Sequence, residues 1–230
     1  MNSKNEILKK IAQHLMLNAS FADTSGLLNG KMGVVVFFFH YAKYSKKSIY
    51  KKFAYELLDE IYEDICPDTP VDFKDGLSGI AWGIDYFICN NSVDIDDKVL
   101  LDELDELITK TGINEIQDSS VETGLKGLAH YVISRKSNAL LNHSTISTNY
   151  VRNLIAALSQ ANQEEEATFL IQQLYLVVKE IRPIYEHDRL LRKIVRNVVY
   201  DPNLIFSPHR LWGIDNNGYA GIGLKLIWDN

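Results

Sequence analysis

A chain of 230 residues with 46% hydrophobic residues can bury a core as one domain or one repeat array, without disulfides or structural metals. A formal charge of -6 excludes the broad basic footprint of a nucleic-acid-binding domain. The longest apolar run, Val34 to Phe39, falls far short of the roughly 20 residues that cross a bilayer.

The N-terminal stretch MNSKNEILKKIAQHLML interleaves charges with apolar residues and has no continuous hydrophobic region before a small-residue cleavage site, so a cytoplasmic protein is expected. Ile7, Ile11 and Leu15 already show helical spacing there. A first glycine turn follows at Gly30-Lys31-Met32-Gly33, and the segment after it, VVVFFFHYA, is apolar nearly all round. By propensity Val34 to Val36 also fits a strand, but the turn register favours a helix packed on several sides. Phe53, Leu57, Ile61 and Ile65 then form an amphipathic stripe.

The turn recurs as Gly76-Leu77-Ser78-Gly79, Gly124-Leu125-Lys126-Gly127 and Gly218-Tyr219-Ala220-Gly221. The first glycines are 46, 48 and 94 residues apart, and the last interval is two units of 47, so one copy has lost its glycines. That degenerate turn is expected near Ile171, within a glycine-free stretch from Leu128 to Trp212. Asn29, Asp75, Thr123 and Asn217, which precede the first glycines, are good N-cap types, and each motif is therefore expected to open a helix. The paired glycines share one face of the first turn and allow a second backbone to approach.

Between the turns, Leu100, Leu104, Leu107 and Ile108 define a surface helix. The acidic run from Asp94 to Glu106 reads as its solvated side. Leu190, Leu191, Ile194, Val195 and Val198 define another, whose opposite face carries Arg189, Arg192, Lys193 and Arg196 and is expected to be exposed. An outer amphipathic layer around an inner apolar layer follows, an all-α architecture of about five helical hairpins.

The strings GLLNGKMGVVVFFFHYAK, GLSGIAWGIDYF, GLKGLAHYV and GYAGIGLKLIW resemble the inner-helix motifs of the lanthionine synthetase C-like family, and the resemblance covers nearly the whole chain. It implies an α/α toroid, or an open arc, over residues 1–230 as a single repeat domain. It also implies a role in modifying a ribosomally made peptide, with a precursor peptide or a partner modification enzyme as ligand. The cyclases of that family hold zinc with two cysteines and a histidine just before glycine motifs. The corresponding pairs here are Leu28-Asn29, Lys74-Asp75, Glu122-Thr123 and Asn216-Asn217, which supply no such ligand. Cys66 and Cys89 lie elsewhere and match no short metal or redox spacing, so they read as reduced thiols, and neither metal nor cofactor is expected.

Asp72, Asp75 and Glu122 cluster at the glycine ends of consecutive inner helices, where the family's site lies, and are the candidate binding residues. His130 joins them, although Trp82 holds the same repeat position, which favours a packed, hydrogen-bonded histidine. His40 reads as structural, and His187 and His209 as loop or helix-end residues outside any site. Two function classes remain: a peptide- or partner-binding protein without cyclase chemistry, and an active enzyme. The enzyme would be either a cyclase whose zinc site is completed in trans or a carboxylate-based carbohydrate-processing toroid. A homo-oligomer is compatible with either.

Overall fold

The computed structural model describes residues 4–90, 97–138, 144–161, 164–199, 212–215 and 217–229. Among these the regular structure is helical, with no strand. The α-helices are α1 (Lys4–Asn18), α2 (Lys31–Ser45), α3 (Ser48–Asp64), α4 (Leu77–Cys89), α5 (Asp97–Lys110), α6 (Leu125–Ser137), α7 (Thr148–Gln160), α8 (Glu165–Val178), α9 (His187–Arg196) and α10 (Tyr219–Trp228). Val34 to Val36 lie within α2. No helix of the described residues is long and apolar enough to cross a membrane. His209 and Asn216 lie outside the described residues.

The chain divides into two compact units, Met1–Cys66 with Asp188–Asn230, and Pro67–His187. In the first unit α2 packs against α3 and α10, and α1 packs against α10. Helix α2 is apolar all round because it has neighbours on several sides: Met32 and Val34 to Phe38 are fully buried. The flanking helices bury one stripe each, Leu8, Ile11, Ala12 and Leu15 on α1, and Tyr50, Ala54, Leu57, Leu58 and Ile61 on α3. Leu190, Leu191 and Val195 are buried, whereas Arg189, Arg192, Lys193 and Arg196 are exposed, as the helical spacing requires.

In the second unit α4 packs against α5 and α6, α6 also meets α7 and α8, and α7 meets α8. Leu77 through Ile88 are all buried, so α4 is enclosed along almost its whole length. Helix α8 covers the position where the degenerate turn was expected. It starts at Glu165, ahead of the expected turn near Ile171, which instead lies mid-helix. Without a glycine there was no marker of its start in the sequence, and only Ala167, Leu170 and Leu174 of α8 are buried.

One expectation fails on the acidic run. Asp105 is fully buried, not solvated: Arg135 Nε donates to its Oδ2 at 3.1 Å, and the Tyr131 hydroxyl also donates to this carboxylate. Arg135, itself 1% exposed, reaches Asp102 Oδ1 at 2.5 Å with its other arm. Burial pushes the Asp105 carboxyl up, against the opposing pull of Arg135. A charge placed between apolar positions on α5 thus points inward to fix α5 on α6. Asp94 to Asp96 fall outside the described residues.

At the glycine turns the helix starts are closed by backbone carbonyls rather than by a side-chain cap. Gly30, Gly76, Gly124 and Gly218 are themselves the N-caps, without a side-chain capping bond, so Asn29, Asp75, Thr123 and Asn217 lie one residue too early to cap. The orphan N–H groups of the first turn go to carbonyls of the preceding loop: Lys31 to Thr24 at 3.0 Å, Leu77 to Pro70 at 2.7 Å and Leu125 to Asp118 at 2.9 Å. Each spans seven residues, and Met32 to Ser25 and Ser78 to Val71 repeat the offset at 3.3 Å. The loop therefore lies against the helix start. A Cβ on Gly76 would overlap the Pro70 carbonyl, and one on Gly127 would overlap the Val121 carbonyl and the Phe73 side chain. Glycine is required here for space, since Gly76 has an ordinary negative φ of -117°.

Candidate functional site

The rim of the second unit forms where two such loops meet. The Glu122 carbonyl accepts from the N–H groups of Phe73 at 3.1 Å and Lys74 at 2.8 Å, which ties the loop before α4 to the loop before α6. A cavity of about 520 Å³ opens beside them, lined by Asp72, Glu115, Gln117, Asp118, Thr123 and neighbouring residues. Of the candidate residues, Asp72 lines this cavity; its Oδ1 accepts from the Asp75 N–H at 2.7 Å. The Asp75 carboxylate lies 3.9 Å from Lys74 Nζ, and the Glu122 side chain is exposed. Asp118, which sequence reasoning passed over, is the most constrained carboxylate of the rim. The Ser120 and Thr123 hydroxyls and the Ser120 N–H donate to it and hold its carboxyl down at about 2. It is ionised at neutral pH and does not serve as an acid there.

His130 belongs to a different cluster, inside the helix layer. It is 6% exposed, with Nδ1 3.0 Å from the Tyr185 hydroxyl and Nε2 3.4 Å from Glu166 Oε1. The same hydroxyl accepts from Trp82 Nε1 at 2.9 Å. The Tyr185 hydroxyl thus bridges the indole and the imidazole, and Glu166 lies on the other side of the ring.

Tyr185 lies on a segment, residues 182–187, that crosses the far ends of α4 and α6. Arg182 Nε donates to the Ser137 carbonyl at 2.6 Å and the Ile184 N–H to Gln173 Oε1 at 2.9 Å. The segment ends at His187, which is buried among the rings of Trp82, Tyr86 and Tyr185 at centroid distances of 5.2, 5.5 and 5.0 Å. Its Nε2 lies 2.6 Å from Ser134 Oγ and 3.3 Å from Asp85 Oδ2. Asp85, fully buried on α4, also accepts from the Ser134 hydroxyl and, through Oδ1, from Asn138 Nδ2 at 2.8 Å. Serine, histidine and aspartate meet here, but one imidazole nitrogen faces both partners. A nucleophile relay uses the two nitrogens separately, so this is not such a triad.

Cys89, one helical turn after Asp85, completes the cluster. One ligand atom from each of Asp85, Cys89 and His187 lies within 4.8 Å of the others. Burial, reinforced by Asp85, pushes the Cys89 thiol up to about 12. A cavity of about 550 Å³ reaches the cluster, lined by Cys89, Asn138, Arg182, Tyr185 and His187 among others. Neither Cys89 nor His187 carries a local site signal in the sequence. The turn spacing of Asp85 and Cys89 was visible, but nothing local joins them to a histidine 102 residues after Asp85.

No protein-family model matches the chain, and no match is found among curated proteins. The class defined by fold and site is therefore an all-helical protein with a polar rim at its glycine turns and a buried Asp–Cys–His cluster.

Proposed function

We propose that the chain is a lanthionine synthetase C-like helical-repeat protein, an α/α toroid or open arc of about five hairpins. In this reading it acts in the modification of a ribosomally made peptide by binding the precursor peptide or a partner enzyme, without cyclase chemistry at its glycine turns. The observation that carries the reading is the repeated closure of the turns before α2, α4 and α6, in which a first-turn N–H reaches a carbonyl seven residues back. In each unit the glycine-opened helices also pack on one another, α2 on α10 and α4 on α6, with amphipathic helices beside them. The rim cavity beside Asp72, Glu115 and Asp118 offers a polar surface for an extended peptide.

The test uses a fluorescently labelled peptide encoded by a short neighbouring reading frame rich in Ser, Thr and Cys. Anisotropy titration of the full chain, with chelator present, should show saturable binding, weakened several-fold by Asp72→Asn combined with Glu115→Gln. Absence of such a frame, or of saturable binding, would overturn the reading.

A further inference from the structure

We infer that Asp85, Cys89 and His187 form a binding site for a zinc-class divalent metal ion, an inference that does not depend on the peptide-binding reading. Three donor types converge: a carboxylate oxygen, a sulfur and an imidazole nitrogen, all within 4.8 Å of one another. Two come from the last turn of α4, where the i, i+4 spacing puts them on one face. The third is delivered by the 182–187 segment, which hydrogen bonds to Ser137 and Gln173 hold in place.

The surroundings match what a metal site requires beyond its ligands. Outer groups already orient the carboxylate, since Asn138 and the Ser134 hydroxyl donate to its two oxygens. Rings on several sides fix the imidazole plane. The adjoining cavity of about 550 Å³ gives the ion a path in and leaves room for water as a fourth ligand. A thiolate with imidazole and one carboxylate suits zinc, whereas calcium and magnesium require oxygen ligands. Binding replaces the thiol proton with the metal: the S–H bond breaks, the thiolate pair forms the metal–sulfur bond, and one proton leaves to solvent. Affinity therefore rises with pH while the thiol is protonated in the metal-free protein.

The full chain, stripped with chelator and dialysed, is titrated with zinc by calorimetry and with cobalt by absorption. One equivalent should bind, with a thiolate-to-cobalt charge-transfer band and proton release that varies the apparent heat with buffer. Cys89→Ser should abolish the band and Cys66→Ser should leave it intact. Ser134→Ala should lower zinc affinity about 10- to 100-fold through the loosened carboxylate. Failure to saturate at one equivalent, or equal binding by parent and Cys89→Ser, would overturn the proposal. If His187→Ala does not fold by circular dichroism, Cys89→Ser, which changes one atom, decides alone. Peptide titration in chelator reads the other hypothesis separately.

Discussion

Trp82 and His130, which hold the same place in successive repeats, meet at a single hydroxyl, that of Tyr185, at 2.9 and 3.0 Å. Helices α4 and α6 are thus bridged by one phenol from a segment outside them. Tyr185→Phe keeps the ring but leaves the indole N–H and an imidazole nitrogen buried without that partner. The expected loss is about 1 to 3 kcal/mol of unfolding free energy, measured by urea denaturation. An unchanged midpoint would mean that water replaces the hydroxyl.

Close packing at the turns makes their glycines intolerant of larger side chains. Gly127→Leu drives a side chain into the Val121 carbonyl and Phe73, and should destabilise the protein by about 1 to 3 kcal/mol or more. Gly112→Ala is the control: the nearest atom to its added Cβ is the end of the flexible Glu115 side chain at 2.9 Å, which can swing away. Thermal melting of the two variants should separate them clearly.

Acid should expose the burial of His40. Desolvation lowers its pKa from 6.5 to about 4; Asp188 opposes the shift, and Lys43 and Arg192 add to it. The unfolded chain then takes up a proton before the folded one, so stability attributable to this group falls as pH drops from about 6.5 to about 4 and levels off below. A loss on the order of 2 kcal/mol is expected after allowance for its partial exposure. His40→Phe, which keeps a ring near Trp228, should flatten that part of the stability-versus-pH curve.

The exposed stripe Arg189, Arg192, Lys193 and Arg196 should matter for binding more than for folding. Arg192 lies 4.9 Å from the Trp228 ring centroid, an exposed contact worth about 0.5 to 1 kcal/mol. Arg192→Glu with Arg196→Glu should therefore shift the melting temperature little, yet weaken capture of an acidic peptide at low salt. Raising ionic strength to about 0.15 M, with a screening length of about 8 Å, should shrink the difference between parent and variant. Equal capture at both salt levels would leave the stripe as a solubility feature.

Much of the helical character was legible because glycine spacing and apolar periodicity act over one or two turns. Where the sequence misled, a longer-range partner had replaced a local one. Asn29, Asp75 and Thr123 looked like caps, but backbone carbonyls seven residues before the helix starts took that role. Asp105 looked solvated among other acids, until Arg135 on α6 supplied a buried counter-charge. Helix α8 starts without a glycine turn, so its start carried no local mark. The Asp–Cys–His cluster combined a visible helical pair with a distant histidine, and no periodicity encodes that meeting.

Because the first-turn N–H groups of α2, α4 and α6 are held by main-chain carbonyls, the helix starts do not depend on the side chains exposed at the rim. Substitutions at an outward position such as Glu122 leave its carbonyl bonds to Phe73 and Lys74 untouched. The outward positions of the rim can thus be rewritten while Asp72 and Asp118, whose carboxylates accept loop N–H groups, keep the frame, which makes it a surface on which new binding preferences can be built without rebuilding the helices beneath.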